Sequence, residues 1–140
     1  MDIKSHVPGA SSVEHGDNNT LLTVVGGKRF LNLTGAPVLI ADPDDAREPI
    51  HIGQSVPVSR AVSAQPVWEV KDLIAGMKVY SEIWGLVGSL PAPAENTYVI
   101  VPKNVLRTKD ARGRTDLLAP VSPYTNGDWG VCYKNLIDRA

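Results

Sequence analysis

Histidine, cysteine, carboxylate and guanidinium groups are the side chains here that could do chemistry, and their spacing decides how much. The histidines are His6, His15 and His51. His6 and His15 stand in a polar N-terminal stretch, and His51 sits between Ile50 and Ile52 in an alternating run. A metal site needs three or four convergent ligands, and only the lone Cys132 could join them. Nucleophilic catalysis needs a serine or cysteine on a sharp turn with a base beside it. No Gly-x-Ser-x-Gly elbow occurs, and Cys132 lies in a strand-like run, the setting of a structural thiol. Asp42, Asp44, Asp45 and Glu48 could supply paired carboxylates, but they share one Pro- and Asp-rich turn. An acid–base pair wants one carboxyl in an apolar wall, and this composition is that of a solvated turn. Neither a Gly-x-Gly-x-x-Gly nor a Walker loop is present. The residues therefore imply no enzyme, metal or cofactor.

Two cationic features remain. Lys103–Asp116 holds Lys103, Arg107, Lys109, Arg112 and Arg114 against Asp110 and Asp116. Guanidinium forks suit phosphates or partner carboxylates, although Arg114 and Asp116 can also pair with each other. Arg60 shares an expected strand face with Val56 and Val58, so its stem should be half buried. It then needs a carboxylate such as Asp116, or an anionic ligand. Arg60, Lys103, Arg107, Arg112, Arg114 and Asp116 are thus the candidate contact residues for a partner or an anionic small ligand. Trp68, Trp84, Trp129, Tyr80, Tyr98, Tyr124 and Tyr133 read mostly as core, with Tyr80 and Trp84 on one strand face.

The elements that must position these groups are short strands. Leu21–Val25 and Lys28–Leu33 flank Gly26-Gly27, a hairpin with a primed turn. Pro37–Ala41, Pro49–Ile52, Ser55–Ser63, Gln65–Val70 and Lys78–Val87 also read as extended, with Pro57 marking an edge. Thr97–Val101 carries no charge, the mark of a strand buried on both faces. Asn126-Gly127 signals a hairpin closed by Trp129–Leu136. Val70–Met77 is the best early helix candidate, with Val70, Leu73 and Ile74 on one stripe and Gly76 as its stop. Lys103–Arg107 suits one helical turn. The pattern predicts a mainly-β fold: a compact barrel or sandwich of short strands, with one or two short helices and an extended N-terminal arm.

The chain has 140 residues, one domain's worth, and a net charge of −1. That balance gives no strong nucleic-acid signal and no membrane attraction by bulk charge. A single cysteine excludes an intramolecular disulfide. No apolar run suits an export signal or a membrane span, so synthesis in a reducing cytoplasm is expected. Residues 1–20 are polar and read as a flexible or docking arm, and residues 21–140 as a single β-rich domain.

From Asn32 onward the order of short motifs resembles a family of small bacteriophage and bacterial proteins of unsettled function. The family opens with Asn-Leu-Thr-Pro-His-x-Val, and here the stretch is Asn32-Leu33-Thr34-Gly35-Ala36-Pro37-Val38. Ser59-Arg60-Ala61, Gly85–Pro91, Tyr98–Val101, Arg114–Pro120 and Gly130-Val131-Cys132 follow in the family's order. Gly35-Ala36 replaces the Pro-His pair, so whatever that imidazole does elsewhere is absent. The resemblance implies a bacterial host cytoplasm, or a virion. Two functions stay open. One is a non-enzymatic accessory or structural protein of a phage particle, such as a capsid decoration protein, working through contacts with other, oligomeric or assembled, subunits. The other is an intracellular phage protein that sequesters a nucleotide signal or inhibits a host defence protein.

Overall fold

The computed structural model describes residues 12–16, 20–45 and 47–140. Of these residues 52% are strand and 9% lie in short 3-10 turns. Strands β1 (Ser12–His15), β2 (Leu21–Val25), β3 (Lys28–Asn32), β4 (Val38–Ile40) and β5 (Ile50–Ile52) come first. The long strands β6 (Ser63–Ile74) and β7 (Met77–Val87) follow, then β8 (Thr97–Ile100), β9 (Leu117–Asn126) and β10 (Gly130–Ile137). Eight strands form one curled sheet in the order β1-β2-β3-β8-β9-β10-β4-β5. β6 and β7 form a separate antiparallel ribbon.

The mainly-β reading holds, and so do both hairpins. Gly26 and Gly27 turn β2 into β3 with φ of 59° and 77°. Asn126 opens the β9–β10 turn, its side-chain oxygen accepting from the Asp128 and Trp129 N–H groups. β8 runs parallel to both β3 and β9 at the sheet's centre. Parallel neighbours need a crossover, and residues 101–116 supply it with 3-10 turns at Lys103–Arg107 and Lys109–Ala111. Because side chains alternate along β8, it feeds two cores. Val99 and Val101 pack with Leu33, Val56, Val62, Val105 and Leu117 on one face. Ile100 packs with Val38 and Ile52 on the other. Cys132 is fully buried on β10.

Two expected elements are different in the structure. Val70–Met77 is not a helix: β6 runs through Ile74, and Ala75-Gly76 make the turn into β7. A bulge at Lys71 adds one residue between Val70 and Asp72. It brings Val70 and Leu73 to the same ribbon face, opposite Tyr80 and Lys78, and so gives a strand the i, i+3 spacing of a helix. Ser55–Ser63 is not a strand. After Pro57 the chain closes its hydrogen bonds locally, Arg60 N–H to the Pro57 carbonyl at 2.9 Å and Ala61 N–H to the Val58 carbonyl at 3.1 Å. The resulting 3-10 turn, Val58–Arg60, leaves Val58 73% exposed while Val56 stays buried. Of the expected arm, residues 1–11 (with His6) and 17–19 lie outside the described residues. Ser12–His15 forms β1, paired with β2, and Glu14 accepts from Arg29 of β3 at 2.8 Å.

Asn32 ties the curl together. It is fully buried at the end of β3. Its backbone N–H donates to the Ser55 hydroxyl at 2.7 Å, and its carbonyl accepts from Ser55 N–H at 3.1 Å. Its side-chain amide donates to the Ala36 and Ile52 carbonyls at 2.8 and 3.3 Å. Its side-chain oxygen accepts from the Thr34 N–H and hydroxyl at 3.0 and 2.7 Å. Replacing Asn32 with Ala removes one side of all the side-chain bonds at a buried position, and the expected loss is about 2–3 kcal/mol. Urea unfolding measures it; a loss under about 1 kcal/mol would contradict this role.

Candidate functional site

Two of the six candidate contact residues are joined to each other. Arg114 and Asp116 meet in a forked ion pair, with Nε to Oδ1 and Nη2 to Oδ2 both at 2.8 Å. Their side chains are only 16% and 12% exposed. Both Asp116 oxygens are thus engaged two residues away, which corrects the expectation that this carboxylate holds Arg60. Arg60 is exposed on the 3-10 turn Val58–Arg60, not half buried on a strand face. Lys103, Arg107 and Arg112 are exposed along the crossover. Lys109, in the same basic stretch, reaches across to the ribbon and holds both oxygens of Glu69 at 3.0 and 3.2 Å. Ion pairs inside the fold therefore take up part of the local positive charge.

Lys103 also lines an open groove of about 320 Å³ with Thr34, Ala36, Pro37, Pro102, Pro120 and Tyr133. The Asn32–Val38 motif forms its rim, and that motif is a structural turn. Gly35 stands at φ +86°, with the Ala61 Cβ 3.1 Å from where its own Cβ would be. Proline is confined to φ near −65°, so a proline in place of Gly35 would not fit this turn. The acidic turn folds on itself: Asp42 accepts from Asp44 N–H, and Asp45 pairs with Arg47 at 2.6 Å. Among the described residues no group of three His, Cys, Asp or Glu side chains is placed to hold a metal ion. No helix among them is long and apolar enough to cross a membrane.

The surface that stands out is the β6–β7 ribbon. Its base is anchored: Ala64 and Leu86 pair across the strands and pack on the Val99 core. Lys109 braces it at Glu69. Beyond that brace residues 70–78 are exposed on both faces. Glu69 to Ile74 spans roughly 17 Å at strand rise. Trp68, Val70, Leu73 and Tyr80 share one face by register and are 67%, 44%, 63% and 51% exposed. Ile74 and Met77 crown the tip, 53% and 64% exposed. Trp68, Tyr80 and Trp129 are therefore surface residues, against the expectation of core. Aliphatic, mostly β-branched side chains fill the core instead. The charges Glu69, Lys71, Asp72, Lys78 and Glu82 interleaved with these residues were the sequence signal of a solvated segment.

The Arg114–Asp116 pair is structural and has a measurable signature. The Arg114 guanidinium bonded to Asp116 holds that carboxyl below its ordinary range, against a smaller opposing effect of burial. A carboxyl lowered by folding stabilises the fold above its unfolded pKa of about 3.9, and that stability is lost as pH falls through the folded value. Asp116→Asn should therefore cost about 1–3 kcal/mol at pH 7, with the gap to the wild type closing below about pH 4. Unfolding midpoints across pH check it, and a gap that persists in acid would contradict the pairing. Against known proteins the chain matches no family model, no curated protein and no solved structure.

Proposed function

We propose that the protein is a non-enzymatic component that works through protein–protein contacts, with the β6–β7 ribbon as its contact element. The observation that carries this reading is the apolar ribbon face of Trp68, Val70, Leu73 and Tyr80, which no part of its own domain covers among the described residues. A water-exposed stripe with a large aromatic at its centre is costly unless something covers it. Tryptophan and tyrosine are also the residues that dominate binding energy at interfaces. A two-stranded ribbon standing free of the sheet is marginal alone, and here Lys109 of the crossover pairs with its Glu69. The resemblance of the Asn32–Leu136 motifs to phage proteins supplies the setting: an accessory or structural part of a phage particle, such as a capsid decoration protein.

The second reading, capture of an anionic small ligand, has less behind it. The groove beside Lys103 brings a single cation to its wall. A nucleotide's phosphates ask for several convergent donors.

The test is composition. Mass spectrometry of purified particles of an encoding phage should detect the chain. The double variant Trp68→Ser, Leu73→Ser should keep its fold by circular dichroism, because both positions are exposed. Its incorporation should fall about tenfold or more, as the loss of central interface anchors does. Particles without the chain, or incorporation of the variant at the wild-type level, would overturn the reading.

A further inference from the structure

The two open edges of the ribbon differ, and the difference points to a second copy of this chain. The turn Ala75-Gly76 has φ of 50° and 84° at its two positions. Such a two-residue turn leaves Ile74 and Met77 as a hydrogen-bonded closing pair. Alternation then turns the backbone groups of Met77, Val79, Ser81 and Ile83 toward β6. Those of Lys78, Tyr80, Glu82 and Trp84 face the open edge of β7. The open edge of β6 is blunted twice. Pro66 has no N–H to offer, and the bulge at Lys71 breaks the ladder. β7 has neither proline nor bulge from Met77 to Val87. Its outer part, with Lys78, Tyr80 and Glu82 exposed, is an uninterrupted template for another strand, while its inner end contacts the crossover.

The side chains along that template are self-complementary. An antiparallel pairing with a two-fold axis at Tyr80 sets Tyr80 opposite Tyr80 of the second copy. The same register sets Lys78 opposite Glu82 of the second copy, and Glu82 opposite its Lys78. All these side chains lie on one face, the face of Trp68 and Val70. Moving the axis to Val79 or Ser81 parts the lysine from the glutamate. Moving it to Lys78 or Glu82 brings like charges together, which is destabilising for directly opposed residues. Charge thus selects a single register. A lysine on an exposed edge ordinarily blocks strand addition, and here the partner's glutamate offsets it.

We propose that two copies of the chain join β7 to β7 in antiparallel register about Tyr80, making a four-stranded sheet β6-β7-β7-β6 with reciprocal Lys78–Glu82 pairs. The proposal rests on the ribbon being the contact element. It adds the identity of one partner and the register, and it leaves the apolar face of both ribbons on one side of the joint sheet for further contacts.

Sedimentation velocity on the full-length chain over a concentration series tests it. The wild type should show a reversible dimer. Lys78→Glu and Glu82→Lys each set like charges opposite at both symmetric positions, and each should weaken the dimer about tenfold or more. The combined Lys78→Glu, Glu82→Lys variant restores opposite charges and should restore the dimer. Lys78 and Glu82 are exposed, so at a dilution where every chain is monomeric all three variants should keep the wild-type thermal midpoint. A wild type that stays monomeric to millimolar concentration overturns the proposal. So do single variants that dimerise as tightly as the wild type, or a double variant that is not rescued. A monomeric chain that still enters particles through Trp68 and Leu73 would overturn the self-pairing alone, and leave the contact role of the ribbon standing.

Discussion

One buried amide holds the curl of this protein. Asn32 ends β3, the strand beside β8 in the middle of the large sheet, and its side chain reaches both the Thr34–Ala36 turn and the end of β5. β5 is the last strand of the sheet and β2 lies near its opposite edge. The chain leaving β5 nevertheless meets β2: Gly53 N–H donates to the Thr23 hydroxyl at 3.1 Å, and Leu21 N–H donates to the Ser55 carbonyl at 3.1 Å. Sheets of many strands must twist, coil or close. Here the closing is done by polar bonds in a buried site, where an unmade bond is far more costly than one made in water. Among the described residues no buried side-chain polar atom is left without a partner.

That closure makes the ribbon a separate object. With the sheet's ends brought together by residues 53–55, β6 and β7 join no ladder but their own. Only the ribbon base reaches the core around Val99, and the 3-10 turns of the crossover contact both of its strands. The distal half has no hydrophobic burial to stabilise it. Its order depends on a tight turn, a bulge that increases local twist, and cross-strand pairs each contributing a few tenths to about 1 kcal/mol. An element so weakly covered, and so rich in Trp, Tyr, Leu, Ile and Met, suits contact with other protein better than it suits catalysis.

Local chemistry was legible in the amino-acid sequence and tertiary chemistry was not. Gly26-Gly27 announces its turn because glycine takes positive φ without strain, and Asn126 announces the other because its side-chain oxygen accepts from the N–H groups of Asp128 and Trp129. Thr97–Val101 announces a central strand because an uncharged run survives only with both faces covered. Val70–Met77 misleads because a bulge at Lys71 gives a strand helical spacing, and a bulge has no signature in residue type. Ser55–Ser63 misleads because alternation continues through Pro57, while the backbone turns there to bond itself. The candidate contact residues show the same limit. A run of basic residues is visible, but whether Lys109 meets Glu69 and Arg114 meets Asp116 depends on the fold. The exposure of Trp68 and Tyr80 depends on where β6 and β7 leave the sheet, and the interleaved charges from Glu69 to Glu82 signal only that the segment is solvated.

The most direct measurement is amide hydrogen exchange resolved residue by residue along β7, at dilute and at high protein concentration. Edge pairing has a period of two: the N–H groups of Lys78, Tyr80 and Glu82 point outward, and those of Met77, Val79 and Ser81 point to β6. The expected result is that the outward set slows with concentration while the inward set barely changes. Outward amides that exchange as fast in concentrated as in dilute solution would contradict the assignment of β7 as the edge that joins two copies.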